Sequence, residues 1–242
     1  MFHRGRFWNG GSFYKIIDGT VYSGVTIEAY DLSSPEEEQI LLEKEFPGKG
    51  QWAGDVSYQL IEDKLYYMIA SVDQTKEEGS SEMYHLELGC LDLENGDAET
   101  FWIGPTDYIA CAFWVTDEGI LVSSGKDGRV FRYDNETGEL QLWADLGELG
   151  GYSHAAFSED LVFCFKMDRT ESAMCILNFS GEVLFNGSRP REDYEELRQI
   201  LCSDQDYLYV KYHGFEKPSK ESVVSINLRT GERKVLWTDL SD

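Results

Sequence analysis

A short β-forming run, an acidic or glycine turn and a second apolar run recur five times along the 242-residue sequence. This recurrence predicts an all-β fold, a five-bladed β-propeller of four-stranded antiparallel blades. Three observations carry the prediction. The turns Asn9-Gly10-Gly11, Glu62-Asp63-Lys64, Asp117-Glu118-Gly119, Glu159-Asp160 and Asp204-Gln205-Asp206 precede runs starting at Phe13, Leu65, Ile120, Leu161 and Tyr207. Those starts lie 52, 55, 41 and 46 residues apart, so the repeat is close to one fifth of the length. Each unit then places an Asp or Asn between apolar residues before a further turn and a closing apolar run.

Taken in order, the blades fall at about residues 1–47, 48–103, 104–147, 148–188 and 189–242. In the first, Phe2 to Trp8 supplies the opening strand, and Tyr30-Asp31-Leu32 ends the third. Ser34-Pro35-Glu36-Glu37 then offers an N-cap serine, a proline at the first helical position and a capping-box glutamate, which predicts a short helical turn before the closing strand. In the next three blades the markers are Leu91-Asp92-Leu93 with Asn95-Gly96, Tyr133-Asp134-Asn135 with Thr137-Gly138, and Leu177-Asn178-Phe179 with Ser180-Gly181. Gly, Asn and Asp supply the left-handed geometry that tight hairpins need. Phe101-Trp102, Leu142-Trp143 and Leu184-Phe185 close these units. The fifth opens with Tyr194, Leu197 and Leu201 at helical spacing, which predicts a second helical turn within Glu192 to Leu201. It ends through Ile226-Asn227-Leu228, Thr230-Gly231 and a last strand over Lys234 to Leu240. All strands are used in chain order, so no clasp strand is evident.

Residues Lys126 to Glu139 resemble the middle of a WD40-type repeat, with Tyr133-Asp134 standing where that family has Trp-Asp. The other four units resemble the bacterial propeller repeats of quinoprotein-like and surface-layer type. The Gly-His dipeptide of WD40 repeats is missing throughout, so the resemblance concerns architecture and assigns no functional subfamily. It implies a binding face lined by the connections between blades, the first residues of the inner strands and the loops between each second and third strand. Mapped onto that face are Trp52 and Asp55 in blade two, Asp107 and Tyr108 in blade three, Tyr152 and His154 in blade four, and Asp193 and Tyr194 in blade five. Aromatics with carboxylates between them suit stacking on a sugar or a peptide side chain. The same aromatics would serve equally to fill the space between blades. Two long loops, Asp73 to Glu82 and His213 to Lys220, fall over the same face.

Charge narrows the partners. With 21 basic and 45 acidic residues the net charge is −24, which opposes nucleic acid and anionic membrane surfaces and favours a basic protein or peptide partner. No apolar stretch approaches the ~20 residues that span a bilayer. Five cysteines, Cys90, Cys111, Cys164, Cys175 and Cys202, show no CxxC pair and read as small buried side chains in a reducing, cytoplasmic setting, and a secreted parent whose signal has been removed would read the same way. A bridge between Cys164 and Cys175 across a hairpin stays open at this stage.

Catalytic signatures are weak. The four histidines lack zinc-ligand spacing, Ser123 to Gly128 lacks the spacing of a phosphate loop, and Asn95-Gly96-Asp97 is explained as a turn without calcium. The reading is a non-catalytic binding propeller for a protein or peptide, with no cofactor, no metal and no catalytic residue assigned. Two alternatives accompany it: a lectin-like or sensor propeller for a small ligand such as a sugar, and a furanosidase-type glycoside hydrolase using a pair among Asp55, Asp107 and Asp193.

Overall fold

The computed structural model describes all residues except 1, 4–5, 32–33, 48–51, 79, 81, 107–109, 125–127, 151–153, 159–160, 168–170, 191–194, 205, 215–218 and 242. Among the described residues, twenty strands and one five-residue helix are formed. The strands make five four-stranded antiparallel sheets, each pairing only strands that are consecutive in the chain. The first sheet holds β1 (Phe2–His3), β2 (Arg6–Ile17), β3 (Thr20–Asp31) and β4 (Ser34–Glu45). The second holds β5 (Trp52–Ile61), β6 (Lys64–Asp73), β7 (Tyr84–Asp92) and β8 (Ala98–Thr106). The third holds β9 (Ala110–Thr116), β10 (Gly119–Ser124), β11 (Arg129–Asp134) and β12 (Leu140–Asp145), followed by α1 (Leu146–Gly150). The fourth holds β13 (His154–Ser158), β14 (Leu161–Met167), β15 (Glu171–Asn178) and β16 (Val183–Pro190). The fifth holds β17 (Glu195–Ser203), β18 (Tyr207–Gly214), β19 (Ser219–Asn227) and β20 (Arg233–Ser241).

The hairpins before the closing strands form as the sequence predicts, and their chemistry is local. Asp92 Oδ1 accepts the amides of Glu94 and Asn95, Asp134 Oδ1 those of Glu136 and Thr137, and Asn227 Oδ1 those of Arg229 and Thr230. In each, the glycine amide four residues on donates back to the backbone carbonyl of the same Asp or Asn. Gly96, Gly138, Gly181 and Gly231 all lie at positive φ, between 70° and 84°. A short polar side chain caps the turn, and a glycine takes the backbone angle that a side chain would oppose.

Three expectations are corrected. Asn9-Gly10-Gly11 is not a turn: β2 runs through it unbroken from Arg6, and the opening strand is Phe2–His3. A Cβ on Gly10 would lie 2.9 Å from the Tyr58 ring, so the glycine makes room for a neighbouring sheet and not for a bend. The hairpin of this unit is Asp18-Gly19, whose φ values of 50° and 76° fit a two-residue turn with both central residues left-handed. The helical turn expected at Ser34 is strand β4. Its backbone pairs with β3 from Ser34 opposite Asp31 to Glu45 opposite Gly24, and a register shift between Tyr30 and Asp31 absorbs Pro35, which has no amide to donate. The helical spacing of Leu197 and Leu201 also lies in a strand, β17, where two register shifts against β18 break strict alternation. Residues 192–194 lie outside the described residues. The helix α1 was not anticipated; Asp145 Oδ1 caps it by accepting the amides of Gly147 and Glu148.

The chain divides into two compact units, Met1–Ile120 with Tyr133–Leu140, and Leu121–Arg132 with Gln141–Asp242. In the first, Val25, Ile27 and Ala29 of β3 pack against Val56, Leu65, Tyr67, Ile69 and Leu91 of the second sheet. In the second unit, the β14 run Val162-Phe163-Cys164 is buried on both faces. Val162 and Cys164 join Leu121, Val130 and Leu146, whereas Phe163 joins Leu208, Val210, Val224 and Ile226. A continuous apolar run is what a strand sandwiched between two sheets requires. Cys164 and Cys175 are register partners across β14 and β15, fully buried, and free thiols.

Candidate functional site

The end of the second sheet where β5 begins holds Trp52 of the predicted face. Antiparallel pairing brings the first residue of β5, the last of β6, the first of β7 and the last of β8 together: Trp52 opposite Asp73, and Tyr84 opposite Thr106. Trp52 is half-buried. Its ring sits edge-on to His85 at 4.7 Å and 6.2 Å from Phe46, and its carbonyl accepts the Ser23 hydroxyl at 2.8 Å. Gly54 permits this packing, because a Cβ there would lie 2.6 Å from Phe46. The tryptophan is thus anchored by its core neighbours and presents part of its surface.

The loop from β6 to β7 is built from successive turns. Asp73 donates its amide to Met83 and accepts the amide and the hydroxyl of Thr75 on Oδ1, at 2.9 and 2.7 Å. Those two hydrogen bonds, the hydroxyl first, hold the Asp73 carboxyl below the usual range. Lys76 and Glu82 pair at 2.8 Å, which raises the lysine pKa and lowers that of the glutamate. His85 Nε2 lies 3.2 Å from the Glu82 carbonyl. Three ionisable groups of the loop, Asp73, Lys76 and Glu82, are engaged in its described turns, beside an aromatic and an imidazole.

Asp55 does not join this group. It stands three residues from Trp52 in the same strand and so faces the opposite side of the sheet; exposed, it accepts the amide of Val56 at 2.8 Å. His154 opens β13 opposite Phe165. Asp107, Tyr108, Tyr152, Asp193 and Tyr194 lie outside the described residues, as do 215–218 of the second long loop. Among the described residues no cluster of three or more His, Cys, Asp or Glu is placed to hold a metal ion, and no helix is long and apolar enough to cross a membrane. Sequence reasoning missed His85 and the part played by Thr75. The Asp-x-Thr pattern of Asp73-Gln74-Thr75 is the signal that marks such a turn, whereas His85 reaches Trp52 only through strand register.

No family model matches the chain, and no curated protein matches it. Solved structures do. A prolyl endopeptidase aligns with a TM-score of 0.57 at 14% identity over 95% of this chain. An oligogalacturonate lyase from Vibrio parahaemolyticus aligns with a TM-score of 0.57 at 11% identity over 93%. Prolyl oligopeptidase B from Galerina marginata aligns with a TM-score of 0.59 at 10% identity over 98%. The chain spans 35%, 64% and 34% of those chains, respectively. These neighbours are propeller-type folds, and at such identities the likeness is one of fold. The chain has a β-propeller-type fold built from antiparallel four-stranded sheets, and folds of this type carry enzymes among their members.

Proposed function

We propose that the chain is a non-catalytic binding module that takes a protein or peptide partner on the loop-bearing end of its sheets. The observation that carries the reading is the rim around Trp52. Asp73, Lys76 and Glu82 are engaged in holding the β6–β7 loop, and Asp55 turns to the other face, so the described residues of this end offer a shaped aromatic surface. Surfaces of this kind recognise by contact area and a few fixed polar groups. A net charge of −24 favours a basic partner, chiefly through the rate of encounter. The buried thiols suit a reducing compartment.

The test is titration with an array of basic peptides, followed by tryptophan emission and by calorimetry. Binding is expected to weaken in Lys76→Ala, which releases the loop, and to persist in Asp55→Asn. Hydrolysis of a glycoside panel that disappears in Asp55→Asn would overturn the reading in favour of a glycosidase.

A further inference from the structure

Two of the cysteines face each other. In the fourth sheet Cys164 of β14 and Cys175 of β15 are register partners, so their side chains leave the same face of the sheet side by side. Both are fully buried in one apolar cluster, among Leu121, Val130, Leu146, Val162 and Leu177, and both are free thiols. Burial raises both thiol pKa values, and at Cys164 the nearness of Cys175 adds to the effect. Other cysteines are placed differently in their sheets. Cys90 has Tyr66 and Glu99 as register partners, and Cys202 has Tyr209.

Opposed residues of antiparallel strands have Cα atoms about 4.5 or 5.5 Å apart, depending on whether the pair exchanges hydrogen bonds. Both spacings fall within the range of about 4.4–6.8 Å that a disulfide spans. The pairing of β14 with β15 therefore brings the two sulfurs to where side-chain rotation and a small approach of the strands would join them. Among the described residues no third ligand completes a metal site with them. The chemistry that suits a facing pair of thiols is oxidation to a disulfide.

Access decides when that happens. Exchange needs a thiolate and an open approach to sulfur, and in the packed sheet Cys164 and Cys175 offer neither. The packing that keeps an oxidant from the thiols would equally keep a reductant from a bond once made.

We propose that Cys164 and Cys175 form a redox latch: the pair joins as a disulfide when the chain folds, or opens, in the presence of a small-molecule disulfide, and the closed packing then preserves it. The thiolate of one cysteine attacks the small disulfide, forming a mixed disulfide and releasing one small thiolate. The thiolate of the other attacks the protein sulfur of that mixed disulfide and releases the second. Two electrons pass from the protein sulfurs to the small disulfide, and the two protons lost by the cysteines end on the two small thiols. A chain that folds in a reducing compartment keeps both thiols, so the state of the pair records the conditions under which the fourth sheet last closed. This goes beyond the binding role proposed above and does not depend on it.

The experiment uses the full chain, unfolded in urea and refolded either in a mixture of reduced and oxidised glutathione or in dithiothreitol. After the small thiols are removed, cysteine links are mapped by mass spectrometry without reduction. The glutathione sample is expected to carry the Cys164–Cys175 bond as its main link, and a urea midpoint higher than that of the reduced sample by roughly 0.5 M or more. In Cys175→Ala the two samples are expected to share one midpoint. A second measurement needs no refolding: native protein is held in the same glutathione mixture, with and without urea below the midpoint. The bond is expected to form about tenfold or more faster with urea, because opening sets the rate. Links spread over all five cysteines, equal midpoints for bridged and reduced wild type, or a bond that forms in the native protein as fast as in the unfolded chain would each overturn the proposal.

Discussion

Replacing Gly89 by alanine tests how tightly the first unit is packed. Gly89 lies in β7 directly opposite Tyr67 of β6, and the tyrosine ring, 2% exposed, lies across it. An added methyl would sit 2.3 Å from the ring Cζ and 2.7 Å from the Glu99 carbonyl oxygen. Restoring ordinary contact requires the ring to retreat by about 1 Å, and the Glu99 backbone is held in the β7–β8 ladder. The ring cannot retreat freely, because the Tyr67 hydroxyl reaches Glu87 Oε1 at 3.5 Å, and the largely buried Glu87 carboxylate also takes the Lys44 ammonium and the Thr100 hydroxyl. Overpacking of this kind costs about 1–3 kcal/mol, and loosening the tyrosine hydrogen bond adds about 1 kcal/mol. Gly89→Ala is therefore expected to destabilise by about 2–4 kcal/mol. Urea unfolding followed by tryptophan fluorescence reads this as a lower midpoint at an unchanged slope. In a Tyr67→Ala background the same substitution should cost at least about 1 kcal/mol less, since one of its two obstacles has gone. A loss below about 0.5 kcal/mol for Gly89→Ala alone, within the range of surface substitutions, would refute the reasoning.

Three further outcomes are expected. Gly138, at a φ of 71° with the Tyr133 hydroxyl at an ordinary contact distance of 3.9 Å from an added Cβ, should lose about 1 kcal/mol on change to Ala and less on change to Asn; equal thermal midpoints for wild type and Gly138→Ala would contradict this. The Asp204 carboxyl is held below its usual range by the amides of Asp206 and Tyr207 and by the Tyr209 hydroxyl, so its folded pKa is depressed. Its contribution is complete above the unfolded value of about 4 and is lost as pH falls through the folded one; the gap in urea midpoint between wild type and Asp204→Asn should narrow below about pH 4, and a constant gap would count against it. Cys164 and Cys175 are fully buried, and burial pushes both thiols up. They should react with a thiol reagent at pH 8 only as fast as the protein unfolds, and rapid native labelling of either, located by mass spectrometry, would show the packing to be otherwise.

The parts of the fold legible in the sequence are those whose cause is local. Asp92, Asp134, Asn178 and Asn227 each make their turn with residues two to four positions away, and a glycine in the same stretch supplies the backbone angle. The parts that were not legible depend on distant residues. Gly10 reads as a turn until Tyr58 is set against it. Ser34-Pro35-Glu36-Glu37 reads as a helix start until β3 takes the backbone of Ser34 and Glu38. At the candidate site the position of Trp52 at the entry of an inner strand was visible, and so was the loop that follows β6. The separation of Asp55 from Trp52 followed from strand parity alone and was there to be read. The approach of His85 was not, because it rests on a register that sequence spacing leaves open.

The pairing of every sheet from consecutive strands has a consequence for how the chain comes into being. The hydrogen bonds of a sheet close within a single stretch of the growing polypeptide, so none waits for a segment synthesised much later. One sheet has too little to bury by itself, however, and the cluster of Val25, Ile27, Val56, Leu65 and Leu91 needs two. Once Thr106 has left the ribosome, both are present and that cluster can close while the rest of the chain is still being made. The order of synthesis and the order of packing then coincide, and the shortest nascent chain from which a protease-resistant fragment is expected is one long enough for Thr106 to have cleared the exit tunnel.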